Sequence, residues 1–235
     1  MKLKTFLLTA LTLALPLWAG AQDTAAIRKN LPERLNGLEK IDEISKTPMQ
    51  GLYEVRVGTD IYYTDAEGNY LIQGSLLDTR ARKNLTQERV DKLTAIKFDE
   101  LDTKNAFAVV RGNGKRKIAI FEDPNCGYCR HLEQDLQKID DVTIQIFLIP
   151  ILGPDSLAKS RQIWCSPDRA KTWIDWMVHN TPLQGNPICN TDALNANLAF
   201  ARKYRINGTP AIVFADGTRV PGAINAQQIE QRLSR

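Results

Sequence analysis

The chain has 235 residues, 43% hydrophobic and 25% charged, with a formal net charge of +4 at pH 7. That composition can bury one large core or two small ones and excludes disordered and fibrous classes. The basic residues are spread along the chain, with Lys115-Arg116-Lys117 the one short cluster, so nothing points to nucleic acid as a partner.

In chain order, Met1-Lys2-Leu3-Lys4 supplies positive charge, Phe6 to Leu17 is nearly all apolar, and Ala19-Gly20-Ala21 ends the run as a small-x-small site. This is the pattern of a secretory signal peptide (1–21), too short and wrongly flanked for a membrane span, with cleavage expected near Ala21. Ile27, Leu31 and Leu35 recur every four residues and predict a short amphipathic helix over 25–35, interrupted by Pro32. Three short strands are predicted at 53–57, 61–64 and 70–73, with turns between them. One helix and a small antiparallel meander form an N-terminal domain (22–82) too small to be comfortably stable alone, which hints at oligomerisation. Asn84 to Leu101 predicts a helix. Asn84 and Gln87 fit a capping box, and Glu88 and Lys92 an i,i+4 pair. Its apolar stripe is thin (Val90, Leu93, Ile96), as suits a solvated linker over 83–105.

The second block, 106–235, begins with β-like stretches at 107–110 and 118–121 around a Gly112-Asn113-Gly114 turn. Helix-like sequence follows Cys126, and 142–148 is another strand. Residues 155–204 lean helical, an Asp216-Gly217 hairpin joins 211–214 to 218–220, and 226–233 closes as a helix. The expected fold class is α+β: a small N-terminal domain, a helical linker, and a C-terminal domain with a mixed sheet and a helical insertion at about 155–200.

The four cysteines are Cys126, Cys129, Cys165 and Cys189. In an exported protein an even count suggests disulfides, and three pairings are formally possible. Cys126-Gly127-Tyr128-Cys129 follows an apolar strand and precedes a helical run, so Cys126 is expected at a helix N-terminus. There, free backbone N–H groups and the helix dipole favour a thiolate. Two intervening residues let Cys129 reach back and resolve a mixed disulfide on Cys126. The expected roles are an exposed nucleophile, Cys126, and a more buried resolving thiol, Cys129. A strained structural disulfide is the bland alternative. A zinc site would want a second close pair, yet Cys165 and Cys189 are 24 positions apart. Covalent haem would need His directly after Cys129, where Arg130 stands. Thr209-Pro210, just before the strand 211–214, is a place where a cis peptide could expose a backbone edge, although most X-Pro bonds are trans.

These residues resemble the thioredoxin superfamily and, within it, the DsbC/DsbG family of periplasmic disulfide isomerases. The resemblance is carried by Phe121 to Cys129 (FEDPNCGYC), Ile163-Trp164-Cys165, Gly208-Thr209-Pro210-Ala211 and the wider stretch from Asn207 to Gly222. It extends to the layout of signal peptide, small N-terminal domain and helical linker. It implies a thioredoxin-like catalytic domain over 106–235, homodimerisation through residues 22–82, and a cis Pro210 facing the CxxC. It also implies a periplasmic location, misfolded exported proteins as substrates, and a membrane thiol reductase of the DsbD type that keeps the site dithiol. Gly127, Tyr128, Thr209 and Pro210 become motif and substrate-binding candidates. The redox-active Cys126–Cys129 pair takes the place of a cofactor, and no metal is expected. The buried acid of thioredoxin, six residues before the first Cys, falls here on Ile120, which leaves Glu122 and Asp123 as candidate proton acceptors for Cys129 unless both are solvated. Cys165 and Cys189, widely spaced and without a helix-start context, read as a structural staple, as the resemblance also implies. The rival reading is a second redox pair.

Trp164, Trp173 and Trp176 read as core or rim packing, and His131 and His179 are too far apart to suggest a Cys–His dyad. The expected activity is isomerisation of non-native disulfides with associated chaperone activity. The alternatives are a thiol–disulfide oxidase or reductase, or a holdase chaperone in which the CxxC is incidental.

Overall fold

The computed structural model describes residues 19–38, 40–185 and 188–234, with the backbone alone for 19–23. The expected signal peptide lies, up to residue 18, outside the described residues. The chain divides into two compact units, with the boundary between Val90 and Asp91.

In the first unit, α1 (Ala19–Arg34) starts earlier than its apolar stripe suggested and ends two residues after Pro32. Ile27 and Leu31 are buried, whereas Leu35, beyond the helix end, is 39% exposed. The helix packs through Ile27 and Leu31 on Leu38, Tyr53 and Val55. Tyr53 and Val55 belong to a four-stranded antiparallel meander, β1 (Glu43–Lys46), β2 (Tyr53–Val57), β3 (Asp60–Thr64) and β4 (Leu71–Ile72). Strand β1 was not expected, because its one apolar residue, Ile44, gives no alternation to read. Gly68, at φ +67°, permits a close approach to α1: a Cβ there would lie 3.4 Å from Leu31 Cγ. Two short strands, β5 (Leu77–Asp78) and β6 (Lys83–Asn84), pair with each other and lead into α2 (Leu85–Thr94).

Asn84 caps α2, its Oδ1 accepting the Gln87 N–H at 3.0 Å. Glu88 pairs with Lys83 at 3.7 Å rather than with Lys92. The helix stops at Thr94, seven residues short of the expected Leu101. The reason is burial in the second unit: Ile96 is fully buried and Leu101 nearly so, and the Ile96 N–H donates to Gly217 O at 3.0 Å. Gly217, at φ +85°, allows that approach, since a Cβ would sit 3.1 Å from Ile96 O.

The second unit holds a five-stranded mixed sheet in the order β11-β10-β8-β9-β7. Its members are β7 (Phe107–Arg111), β8 (Arg116–Glu122), β9 (Val142–Leu148), β10 (Ala211–Phe214) and β11 (Arg219–Pro221). Only β8 and β9 run parallel. Strand β7 is separated from β8 by β9, although only a Gly-Asn-Gly turn lies near their junction in sequence. β8 is the central strand, with Ile118 to Phe121 fully buried, which explains why its sequence is a continuous apolar run without alternation. Helices α3 (Gly127–Leu136), α4 (Pro154–Trp164), α5 (Arg169–Met177), α6 (Asp192–Lys203) and α7 (Ala226–Leu233) complete the unit.

Two clusters of buried side chains share the strands. In one, Ile118, Ile120, Ile144 and Ile146 meet Leu132 and Leu136 of α3, Ile163 of α4, Trp173 of α5 and Ile229 of α7. In the other, Ala119, Phe121 and Phe147 meet Ile96, Leu101 and Ala201 of α6. Ring centroids of Phe147–Phe121, Phe121–Phe200 and Phe200–Tyr204 are 4.9, 5.5 and 4.6 Å apart. Burial of alternate β8 residues on opposite faces makes this a three-layer arrangement and fixes where the strand's C-terminal end emerges.

Candidate active site

Strand β8 ends at Glu122, and Asp123-Pro124-Asn125 turns the chain into α3. Asp123 builds that turn. It is fully buried, yet its carboxylate accepts four hydrogen bonds, from Asn125 N (2.8 Å), Ser156 Oγ (2.7 Å), Ile151 N (2.8 Å) and Leu152 N (3.0 Å). All four donors are matched to oxygens, which is how a carboxylate can sit in a core. Trp176 Nε1 donates to Pro124 O at 2.7 Å, and the Trp176 ring lies under Lys159 Nζ (4.6 Å) and Arg130 (5.3 Å). Arg130 also donates to Trp176 O (2.7 Å), Met177 O (3.0 Å) and Asn180 Oδ1 (2.6 Å) at the end of α5.

Cys126 stands at the N-cap of α3, and its Sγ accepts the Cys129 N–H at 3.3 Å. Sulfur thus occupies the place where Ser or Asp oxygen usually caps a helix. The Cys126 Sγ also lies 3.2 Å from Thr209 O, to which the thiol form donates. The Thr209–Pro210 peptide is cis, and Pro210 leads into β10 beside β8. Gly127, Tyr128, Thr209 and Pro210 are therefore gathered around the first cysteine. Tyr128 is 71% exposed and nothing crowds the position of a Cβ on Gly127.

The two thiols are unbridged and both residues are buried, so Cys126, at 6% exposure, is not the exposed nucleophile expected, because the Thr209–Pro210 segment lies over its sulfur; the two nevertheless differ sharply. The Cys126 thiol is lowered from 9.0 to about 6, first by a hydrogen bond from the Cys129 thiol, then by the Thr209 side chain and the backbone N–H groups of Cys129 and Tyr128, against the effect of burial. Cys129 is fully buried, and burial, first, and its bond to Cys126 push its thiol far up. Glu122, which could have been solvated on sequence grounds, is fully buried beside both cysteines and Glu133.

Cys165 and Cys189 form a disulfide, with Cα atoms 5.5 Å apart. It belongs to another part of the unit, tying the C-cap of α4 to the irregular stretch before α6. Trp164 and Trp173 sit in the core as expected; His131 and His179 are both exposed. Among the described residues, no group of three or more His, Cys, Asp or Glu side chains is arranged to hold a metal, and no helix is long and apolar enough to cross a membrane.

Sequence comparison assigns residues 103–235 to the thioredoxin-like domain family and residues 18–87 to the disulfide bond isomerase protein N-terminal domain family. The chain is 43% identical over 209 residues to the probable thiol:disulfide interchange protein DsbC of Bordetella parapertussis, covering 88% of this chain and 73% of the relative. It is 29% identical over 236 residues to the thiol:disulfide interchange protein DsbC of Escherichia coli strain K12, covering 98% and 95%. A disulfide interchange protein from Neisseria gonorrhoeae, known from a crystal structure, matches with a TM-score of 0.55 and 38% identity over 57% of this chain and 96% of that one. With both domain families present in order and a dithiol at the head of α3, the chain belongs to the DsbC family of thiol:disulfide interchange enzymes.

Proposed function

We propose that Cys126 is the attacking thiol and Cys129 the resolving thiol of a protein disulfide isomerase acting on misfolded exported proteins. The Cys126 thiolate attacks one sulfur of a non-native disulfide, that S–S bond breaks, and the substrate's other sulfur leaves as a thiolate. A different substrate thiol then attacks the mixed disulfide, forming a new substrate S–S bond and returning Cys126 as thiolate. No net oxidation results. When the substrate stalls, Cys129 displaces it and leaves Cys126–Cys129 oxidised, after which a membrane thiol reductase of the DsbD type restores the dithiol.

The observation that carries this reading is the asymmetry of the pair: one thiol near 6 at a helix cap, the other buried and pushed far up. The Thr209 carbonyl, 3.2 Å from the Cys126 sulfur, offers a backbone edge to a bound peptide. Tyr128, Ile151 and Leu152 supply exposed apolar surface, and the last two are held there by the Asp123 carboxylate. The Cys165–Cys189 disulfide acts as a staple of the helical insertion. The protein works in the periplasm after cleavage near Ala21, as a homodimer through residues 22–82, with the linker and catalytic domain following. A cleft between two such sites would hold an unfolded chain, which accounts for chaperone activity.

Recovery of a scrambled, multiply disulfide-bonded substrate in glutathione buffer tests this. Full-length protein is expected to restore activity, and Cys126→Ser to lose it. A fragment beginning at Asp91, which keeps the buried Ile96 and Leu101, is expected to oxidise and reduce small disulfides but to isomerise poorly. Full-length protein that oxidises or reduces but does not isomerise would make it an oxidase or reductase. Undiminished suppression of aggregation by Cys126→Ser, alongside undiminished repair, would remove the thiol mechanism and leave a holdase.

A further inference from the structure

Resolution of a mixed disulfide requires Cys129 to lose its proton, and the fully buried sulfur has no solvent to take it. Burial, first, and the hydrogen bond to Cys126 hold the proton on that thiol. Directly beside it stands Glu122, also fully buried, and neither of its carboxyl oxygens has a hydrogen-bond partner. An unpartnered carboxyl inside a core is costly, on the order of several kcal/mol, and most buried side-chain polar atoms are paired. The other carboxyl at hand, Asp123, has both oxygens committed to four donors and is not free to receive a proton.

Glu133 lies one helical turn beyond Cys129 on α3, is 1% exposed, and acts on Glu122. Its Oε1 accepts Trp173 Nε1–H at 2.7 Å, and Arg111 of β7 adds a favourable charge. Both supports favour an anionic Glu133. For Glu122, burial first, then Glu133 and Cys126 all favour the proton, and only the nearby Cys129 thiol, the weakest influence, favours the anion, so the proton of the pair rests on Glu122. Two neighbouring buried carboxyls share one charge rather than carrying two.

We infer that Glu122 and Glu133 form a two-carboxyl relay that takes the Cys129 proton when a mixed disulfide on Cys126 is resolved. The inference rests on the thiol roles proposed above. The Cys129 S–H bond breaks and its proton goes to Glu122, as the proton already on Glu122 moves to the Glu133 carboxylate. The Cys129 thiolate attacks the Cys126 sulfur, the Cys126–substrate S–S bond breaks, and the Cys126–Cys129 bond forms. The electron pair leaves on the substrate sulfur, and the single negative charge passes from Glu133 to that thiolate. When an external thiol later opens the Cys126–Cys129 disulfide at Cys126, the relay runs backwards and returns the proton to Cys129.

Mixing the reduced protein with 5,5′-dithiobis(2-nitrobenzoate) separates the steps, since the first thionitrobenzoate released reports attack by Cys126 and the second reports resolution by Cys129. Glu122→Gln and Glu133→Gln are each expected to leave the first phase within about twofold and to slow the second at pH 7 by about tenfold or more, in the range of a lost general base. The double variant is expected to be no slower than the worse single one, because both lie on one path. In the parent, the second phase should weaken as pH falls and the pair becomes neutral, and that limb should vanish in both variants. Gln matches Glu in shape, and an unfolding midpoint at or above the parent's shows that the fold is kept. A second phase at the parental rate in either variant, or additive losses with the parental pH profile, would overturn the relay. A missing first phase in the parent would instead overturn the role of Cys126.

Discussion

Alkylation of the reduced protein by iodoacetamide reads the Cys126 thiolate directly, because Cys129 is fully buried and burial holds its thiol protonated. With its pKa lowered from 9.0 to about 6, Cys126 is about nine-tenths thiolate at pH 7, against about one part in a hundred for an unperturbed thiol. The gain in rate is much smaller than that ratio of about 90. A more acidic thiolate is a weaker nucleophile, and a Brønsted slope of 0.4–0.5 takes back a factor of about 20, leaving about a fourfold advantage at pH 7. Steric shielding of a cysteine that is 6% exposed scales the whole curve and leaves its shape alone. The shape is therefore the firmer test. Between pH 5 and pH 9 the rate should rise only about tenfold with its midpoint near pH 6, whereas an ordinary thiol gains several thousandfold over the same span. Rates measured against pH, with an unfolded sample as reference, check this. A midpoint above pH 8, or a rise beyond a hundredfold, would refute the argument that the helix cap, the Cys129 thiol and Thr209 hold Cys126 as thiolate. Thr209→Val, which removes one of those donors, should move the midpoint up.

Replacing both Cys165 and Cys189 by Ser opens a loop closed across 24 positions and should cost about 3.5 kcal/mol in denaturant unfolding on the chain-entropy account; a loss below about 1 kcal/mol would remove the staple role. Asp123→Asn puts an amide NH2 where two backbone N–H groups now donate, and should cost about 2–3 kcal/mol, with faster hydrogen exchange at Ile151 and Leu152. Glu122 and Glu133 both titrate above the ordinary carboxylate value because they are buried. Native carboxyls that hold protons more tightly than unfolded ones favour folding near pH 4.5, and that contribution is lost as pH rises through their native values. Glu122→Gln should therefore be more stable than the parent at pH 8, by on the order of 1–3 kcal/mol, with the gap closing toward pH 5; a gap that is constant with pH would contradict the assignment.

The parts of this molecule that are encoded locally could be read from sequence. Cys126-x-x-Cys129 between an apolar strand and a helical run needs no tertiary information, and neither does the Asp216-Gly217 hairpin that joins β10 to β11. The family resemblance added the cis Thr209–Pro210 peptide, which composition alone would have left trans. What could not be read depends on partners far away in the chain. Asp123 looks like one acid of a solvated turn until Ile151, Leu152 and Ser156, about thirty positions on, surround it. Glu122 reads the same way, and its burial follows from β8 being the central strand of a sheet whose order is set by non-local pairing. The same pairing puts β9 between β7 and β8, although only a Gly-Asn-Gly turn separates them in sequence. Ile96 fits the stripe of α2 equally well as a helix residue or as a core residue beyond it. Its bond to Gly217, more than a hundred positions later, decides for the core.

The division of labour between the two thiols is tested most directly by trapping. Cys129→Ser incubated with a scrambled protein substrate should accumulate a covalent adduct, and peptide mapping should place the new disulfide on Cys126. Adducts on Cys165 or Cys189, or none above the level seen with Cys126→Ser, would contradict it.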